Sequence, residues 1–179
     1  MKERNIALIG FRATGKSAVG KIVARILGRV FIDMDQHLMA SAGREIACWV
    51  RLEGWESFRS AESELLEALA SRPGLVVATG GGVVLGAQNR RILARDFVTI
   101  WLKAPAQVIE ERIASDSKSR ATRPPLSNMS PDEEIRTLLH EREPLYAQSA
   151  SIEIDTDGKS INEIADQIAK CLESAGHLK

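Results

Sequence analysis

Residues 10–17 read Gly-Phe-Arg-Ala-Thr-Gly-Lys-Ser, and no other run constrains the chain as much. It meets the pattern G-x-x-x-x-G-K-[ST] at every fixed position. Gly10 and Gly15 allow backbone conformations that a side chain would block. The loop N–H groups can then converge on phosphate oxygens, helped by the positive end of the helix that follows. In that arrangement Lys16 neutralises β/γ-phosphate charge, and the Ser17 hydroxyl is a ligand for Mg²⁺. The plain alternative is a glycine turn with an incidental lysine. The context speaks against it. An apolar run, Asn5 to Ile9, leads into the loop, and an amphipathic pattern with Val19, Ile22, Val23, Ile26 and Leu27 on one face leads out.

The rest of the chain repeats this alternation. Short apolar runs at 29–32, 75–78, 97–102 and 152–155 read as strands. Helical patterns fall at 36–70 (interrupted near Gly43 and Gly54), 88–95, 105–113, 131–147 and 161–172. Ser130-Pro131-Asp132-Glu133 reads as an N-cap followed by proline in the first turn. Strands alternating with helices predict an α/β protein, a parallel sheet with helices on both faces. Residues 114–129 are polar, basic and proline-containing without a clear period, which predicts a loop or mobile lid.

With 179 residues, one compact domain over 1–179 is expected. Lys+Arg and Asp+Glu balance at 24 each, which argues against a nucleic-acid binder working through bulk charge. Cys48 and Cys171 lack CxxC spacing and read as half-buried thiols in a reducing compartment. No stretch reaches membrane-spanning length and the N-terminal apolar run is too short for a signal peptide, so a cytoplasmic protein is expected. A monomer is expected, since no long exposed apolar helix is evident.

A phosphate loop alone could serve a GTPase, an ATPase or a kinase, and the remaining motifs bear on the choice. There is no NKxD guanine signature and no isolated aspartate ending an apolar strand. The run Leu75–Ala78 ends instead in Thr79-Gly80-Gly81-Gly82. Three successive glycines are costly for a mere turn and permit close approach of a ligand to the backbone. Asp33 and Asp35 sit at the carboxyl end of the second strand, where open α/β sheets bind ligands. Such a pair faces one side together only while the chain stays extended. One carboxylate could hold metal-bound water while the other accepts from a substrate hydroxyl; an N-cap plus first-turn charge is the competing reading. Arg123 lies in the proline-containing segment, where it could close over a γ-phosphate as an arginine supplied in cis.

Taken in order, GFRATGKS at 10–17, DMD at 33–35, FRSAE at 58–62, ATGGGVV at 78–84, RPPL at 123–126 and EREPLY at 141–146 resemble the shikimate kinase family over nearly the whole chain. The resemblance implies a three-layer P-loop kinase fold: a five-stranded parallel sheet of order 2-3-1-4-5, a mobile lid, and a helical substrate-binding region at about 33–62. It implies ATP and Mg²⁺ as the nucleotide and metal, with shikimate as acceptor. Gly10, Arg12, Ala13, Thr14, Gly15, Lys16 and Ser17 would then hold ATP phosphates, and Ser17 and Asp33 the metal. Asp35 would hydrogen-bond the attacking hydroxyl and could serve as its catalytic base. Arg59, Arg142 and the backbone at Gly80, Gly81 and Gly82 would bind the acceptor's carboxylate and hydroxyls. Arg123 would stabilise the transferring phosphoryl, with Arg120 as the adenine-side arginine. The loop at 155–160 falls where the family lines its adenine pocket. Three departures stand out. Ala13 replaces the family's usual glycine, and its methyl is tolerable while φ stays negative. Trp55 stands where many members have Glu, and RPPL replaces the commoner RPLL. The same features leave open a kinase for another hydroxy acid such as gluconate, or a non-catalytic ATP-binding module.

Overall fold

The structure is a computed structural model and describes residues 4–115 and 130–176. Five strands form one parallel sheet: β1 (Asn5–Ile9), β2 (Val30–Asp33), β3 (Leu75–Ala78), β4 (Phe97–Lys103) and β5 (Ile152–Asp155). Their order is β2-β3-β1-β4-β5, the order that the resemblance implies. The helices among the described residues are α1 (Lys16–Leu27), α2 (Met34–Ala42), α3 (Ile46–Ala70), α4 (Ala87–Asp96), α5 (Ala106–Ser115), α6 (Pro131–Ser149) and α7 (Ile161–Ser174). None is long and apolar enough to cross a membrane.

The central strands are apolar on both faces because both faces are covered. Alternate residues of β1 divide between two cores. Ile6 and Leu8 point to one side with Val76, Val98, Ile100 and Ile154, beneath α1 and α7. Ala7 and Ile9 point to the other with Val77, Phe97 and Trp101, beneath residues of α3, α4 and α6. The edge strands β2 and β5 are less buried, as outer positions in such a sheet must be.

Helix starts follow local chemistry. Ser130 and Ser160 each form a reciprocal capping box, with Glu133 and Glu163 respectively. Those contacts hold both glutamate carboxyls below their ordinary range. The two interruptions expected in 36–70 are present. Gly43 closes α2, and Gly54 (φ 82, ψ 167) breaks the helical path inside α3. That break folds the first part of α3 over α2, so Leu38, Ile46 and Phe58 share a small core of their own. A single 3₁₀ turn at Val83–Leu85, with no clear period to reveal it, follows the three glycines. Cys48 and Cys171 are half-buried and unbridged. The expected lid lies outside the described residues from 116 onward, and Arg120 and Arg123 lie there too.

Candidate active site

The phosphate loop joins β1 to α1 and is held by its own atoms. Gly10 has φ 139, and a Cβ there would sit 2.5 Å from the Leu102 carbonyl oxygen, so both conformation and space demand glycine. Gly15 caps α1 in the left-handed region at φ 91. The Thr14 hydroxyl donates to the Phe11 carbonyl at 2.8 Å. Lys16 Nζ donates to the carbonyls of Gly10 (2.9 Å) and Phe11 (2.7 Å). The ammonium therefore lies across the loop at the start of α1, next to the positive helix end that favours anions.

Ala13 corrects the expectation of negative φ. Its φ is +62, and it is the sole non-glycine with positive φ among the described residues. Its carbonyl accepts from Arg112 of α5 at 3.3 Å, and Arg112 also donates to Thr156 in the loop after β5. A left-handed alanine costs about 1–2 kcal/mol, and glycine's extra unfolded-state freedom returns about 0.5–1 kcal/mol of that. Ala13→Gly is thus expected to stabilise the chain by about 0.5–1 kcal/mol and raise Tm by about 1–4 °C. An unchanged or lower Tm in thermal melts would contradict this.

Asp33 and Asp35 do not face one side on an extended chain. β2 ends at Asp33, and α2 begins with the next residue. Asp33 is the N-cap: Oδ1 accepts from the Gln36 N–H at 3.1 Å, while Oδ2 accepts from the Ser17 hydroxyl at 2.5 Å. The carboxylate thus caps α2 with one oxygen and meets the phosphate-loop serine with the other. A hydroxyl and a carboxylate oxygen side by side at a phosphate loop are hard donors of the kind Mg²⁺ takes, and they fit that ion. Asp35 lies in the first turn of α2 and turns to a neighbouring cavity.

That cavity gathers six of the expected residues: Asp35, Arg59, Gly80, Gly81, Gly82 and Arg142. Arg12 lines it as well. Its backbone belongs to the phosphate loop, but its guanidinium reaches Glu134 of α6 at 3.2 Å. The triple-glycine turn forms one wall, at the carboxyl end of β3. A Cβ on Gly81 would lie 3.5 Å from Arg12 N and 3.6 Å from the Gly10 carbonyl oxygen, so this wall packs directly on the phosphate loop. None of the three glycines has positive φ. Gly80 and Gly82 are required by crowding instead: a Cβ on Gly80 would meet the Glu62 and Asp35 carboxylates, and one on Gly82 the Arg59 guanidinium.

Several residues that the sequence reading did not single out build the same cavity. Glu62 is fully buried and pairs with Arg59 at 2.6 Å, one helical turn away. The i,i+3 spacing inside FRSAE was the available signal. The Arg59 guanidinium also lies 5.1 Å from the Trp55 ring and 5.4 Å from the Phe58 ring. Arg142, 7% exposed, lies 5.6 Å from the Phe11 ring. Tyr146, fully buried, donates its hydroxyl to the Gly81 carbonyl at 2.5 Å and stacks on Trp101. Burial pushes its pKa up to about 12. The cavity thus gathers three arginines and two carboxylates, walled by glycine backbone and set against a phosphate loop.

Residues 12–173 match the family model described as shikimate kinase. The shikimate kinase of Symbiobacterium thermophilum is 39% identical over 96% of this chain and 98% of its own length. That of Thermodesulfovibrio yellowstonii is 41% identical over 93% of this chain and 94% of its own. Among solved structures, shikimate kinase from Acinetobacter baumannii in complex with shikimate superposes with a TM-score of 0.90, at 33% identity, covering 96% of this chain and 94% of that one. A gluconokinase from Sinorhizobium meliloti, at 17% identity and a TM-score of 0.55, shares the fold alone. By the matched model, the identity and the coverage, this chain belongs to the shikimate kinase family.

Proposed function

We propose that the chain transfers the γ-phosphoryl group of ATP to a hydroxyl of shikimate, giving shikimate 3-phosphate. One observation carries the reading: the arginine- and glycine-lined cavity shares a wall with the phosphate loop, since Gly81 packs on Gly10 and Arg12. Phosphoryl transfer asks a protein mainly for positioning and charge neutralisation, and two adjoining sites supply both.

The residues take the following roles. The loop N–H groups from Gly10 to Ser17 receive the phosphates. Lys16 exchanges its two loop carbonyls for β/γ oxygens. Ser17 and Asp33 hold Mg²⁺, which when bound neutralises phosphate charge. Asp35 accepts from the attacking hydroxyl and orients it. Arg59 and Arg142 bind the carboxylate, a task suited to planar guanidinium groups, and Gly80–Gly82 contribute backbone N–H groups. Arg123 covers the transferring phosphoryl and Arg120 the adenine side, from the segment outside the described residues. That segment, about 114–129, serves as the lid and 33–62 as the acceptor-binding region of a single domain. The enzyme acts as a cytoplasmic monomer without nucleic-acid partners; its balanced charge supports the last point.

The test is ADP release from MgATP with shikimate, with gluconate and with no acceptor. Shikimate alone is expected to drive release. Release that ignores the acceptor would indicate an ATPase, and release with gluconate would assign the cavity to a different hydroxy acid.

A further inference from the structure

Arg142 and Tyr146 are four residues apart on α6 and share a helical face. Both reach the same atom, the Gly81 carbonyl oxygen, but not equally. The Tyr146 hydroxyl donates at 2.5 Å, and Arg142 Nη1 stands at 3.4 Å. The described peptides are all trans, so the N–H of Gly82 points opposite to the carbonyl of Gly81 within one rigid plane. That carbonyl points to buried Tyr146. The Gly82 N–H therefore points away from α6. It donates to no backbone acceptor among the described residues, and the Arg59 guanidinium crowds the same glycine.

We propose that Tyr146 is a positioning residue for the acceptor: its hydroxyl clamps the Gly81–Gly82 peptide so that the Gly82 N–H is presented to the acceptor carboxylate alongside Arg59 and Arg142. The inference rests on the reading of this cavity as the acceptor site. The same hydrogen bond has a second effect. With the carbonyl satisfied by the phenol, Arg142 is not needed there, and its guanidinium can turn to the carboxylate. Were the hydroxyl removed, Arg142 would be the remaining donor to a buried carbonyl and would be drawn to it. Two features fit a lasting clamp. The ring is fixed by its stack on Trp101, with centroids 5.7 Å apart and planes at 29°. The phenol, raised to about 12, keeps its proton and remains a donor at any ordinary working pH.

The experiment is Tyr146→Phe, which keeps the ring and its stack, beside Trp101→Phe, which thins the same stack and leaves the hydroxyl. Kinetics with each substrate varied, calorimetric titration of shikimate without nucleotide, and thermal melts are measured on both. Tyr146→Phe is expected to raise KM and Kd for shikimate about three- to tenfold. Its KM for MgATP, and kcat at saturating shikimate, should stay within about twofold of the parent. Trp101→Phe, which loosens the stack but keeps the hydroxyl, is expected to lower Tm and to raise the shikimate constants by less than Tyr146→Phe does. The proposal is overturned if Tyr146→Phe leaves shikimate binding unchanged. It is equally overturned if Tyr146→Phe raises both KM values together, as general loosening would, or if Trp101→Phe weakens shikimate as much. Failure of the acceptor reading itself would be seen separately, as a parent enzyme that neither binds nor phosphorylates shikimate.

Discussion

Lys16→Ala is expected to reduce shikimate-dependent ADP release by about 10³-fold or more. Nζ spans the Gly10 and Phe11 carbonyls at the turn out of β1, 9% exposed, beside the positive end of α1. A cation in that position meets phosphate charge with little solvent between, where electrostatic contacts are worth most. The phosphate loop offers backbone dipoles as well, but a full charge held in place contributes more to the charge that grows on the bridging and transferred oxygens. Truncation removes that full charge along with its two loop contacts, so nucleotide affinity should fall too. Lys16→Met separates the parts, because it keeps the stem and removes only the charge. Its turnover should be as low as that of the alanine variant, measured by coupled ADP detection. If Lys16→Met retained more than about a tenth of parental turnover, another group would have to supply the charge.

Gly82→Ala is expected to raise the shikimate KM about 10- to 100-fold with little change in the KM for MgATP. Gly82 has φ −103 and ψ 3, a conformation that alanine can adopt, so backbone strain is not the cause. Crowding is: the new methyl would occupy the space of the Arg59 guanidinium. Arg59 cannot yield without cost. It is ion-paired to fully buried Glu62 at 2.6 Å and lies beside the Trp55 and Phe58 rings. Its displacement would remove a charge-assisted contact to the acceptor carboxylate and loosen a buried pair, so Tm should fall as well. Gly81→Ala is the matched comparison. Its Cβ would meet nothing nearer than Arg12 N at 3.5 Å, which is ordinary contact. The position-81 variant should therefore be much the milder of the two. Equal losses at 81 and 82 would show that the turn's backbone, and not the Arg59 contact, carries the effect.

The structural features behind these effects were legible in the sequence to different degrees. The phosphate loop, the alternating strands and helices, and the breaks at Gly43 and Gly54 follow from local rules: glycine at forced turns, period 2 against 3.6, and capping residues at helix starts. Such rules act over a few residues, so they are visible in a linear string. Asp33 shows where they become ambiguous. An N-cap and a place at the phosphate site looked like rival readings, yet one oxygen caps α2 while the other accepts from Ser17. Ala13 shows where they fail. A β-carbon argues for negative φ, yet the loop closing on its own phosphate cradle holds this alanine at +62.

By itself, then, the sequence determined the fold class, the sheet's buried strands and the chemical parts of a phosphate-transfer site, because composition and short-range spacing decide those. Only the tertiary structure decided how the parts meet. Residues from the loop after β1, α2, α3, the turn after β3, and α6 converge on one cavity, and their separations along the chain carry no signal of that convergence. The same holds for Tyr146 beneath Gly81. It is an ordinary helical residue until the sheet order β2-β3-β1-β4-β5 brings the triple-glycine turn between α3 and α6. The physical reason is that buried polar groups must find partners wherever the packed chain places them, and that placement is a property of the whole fold.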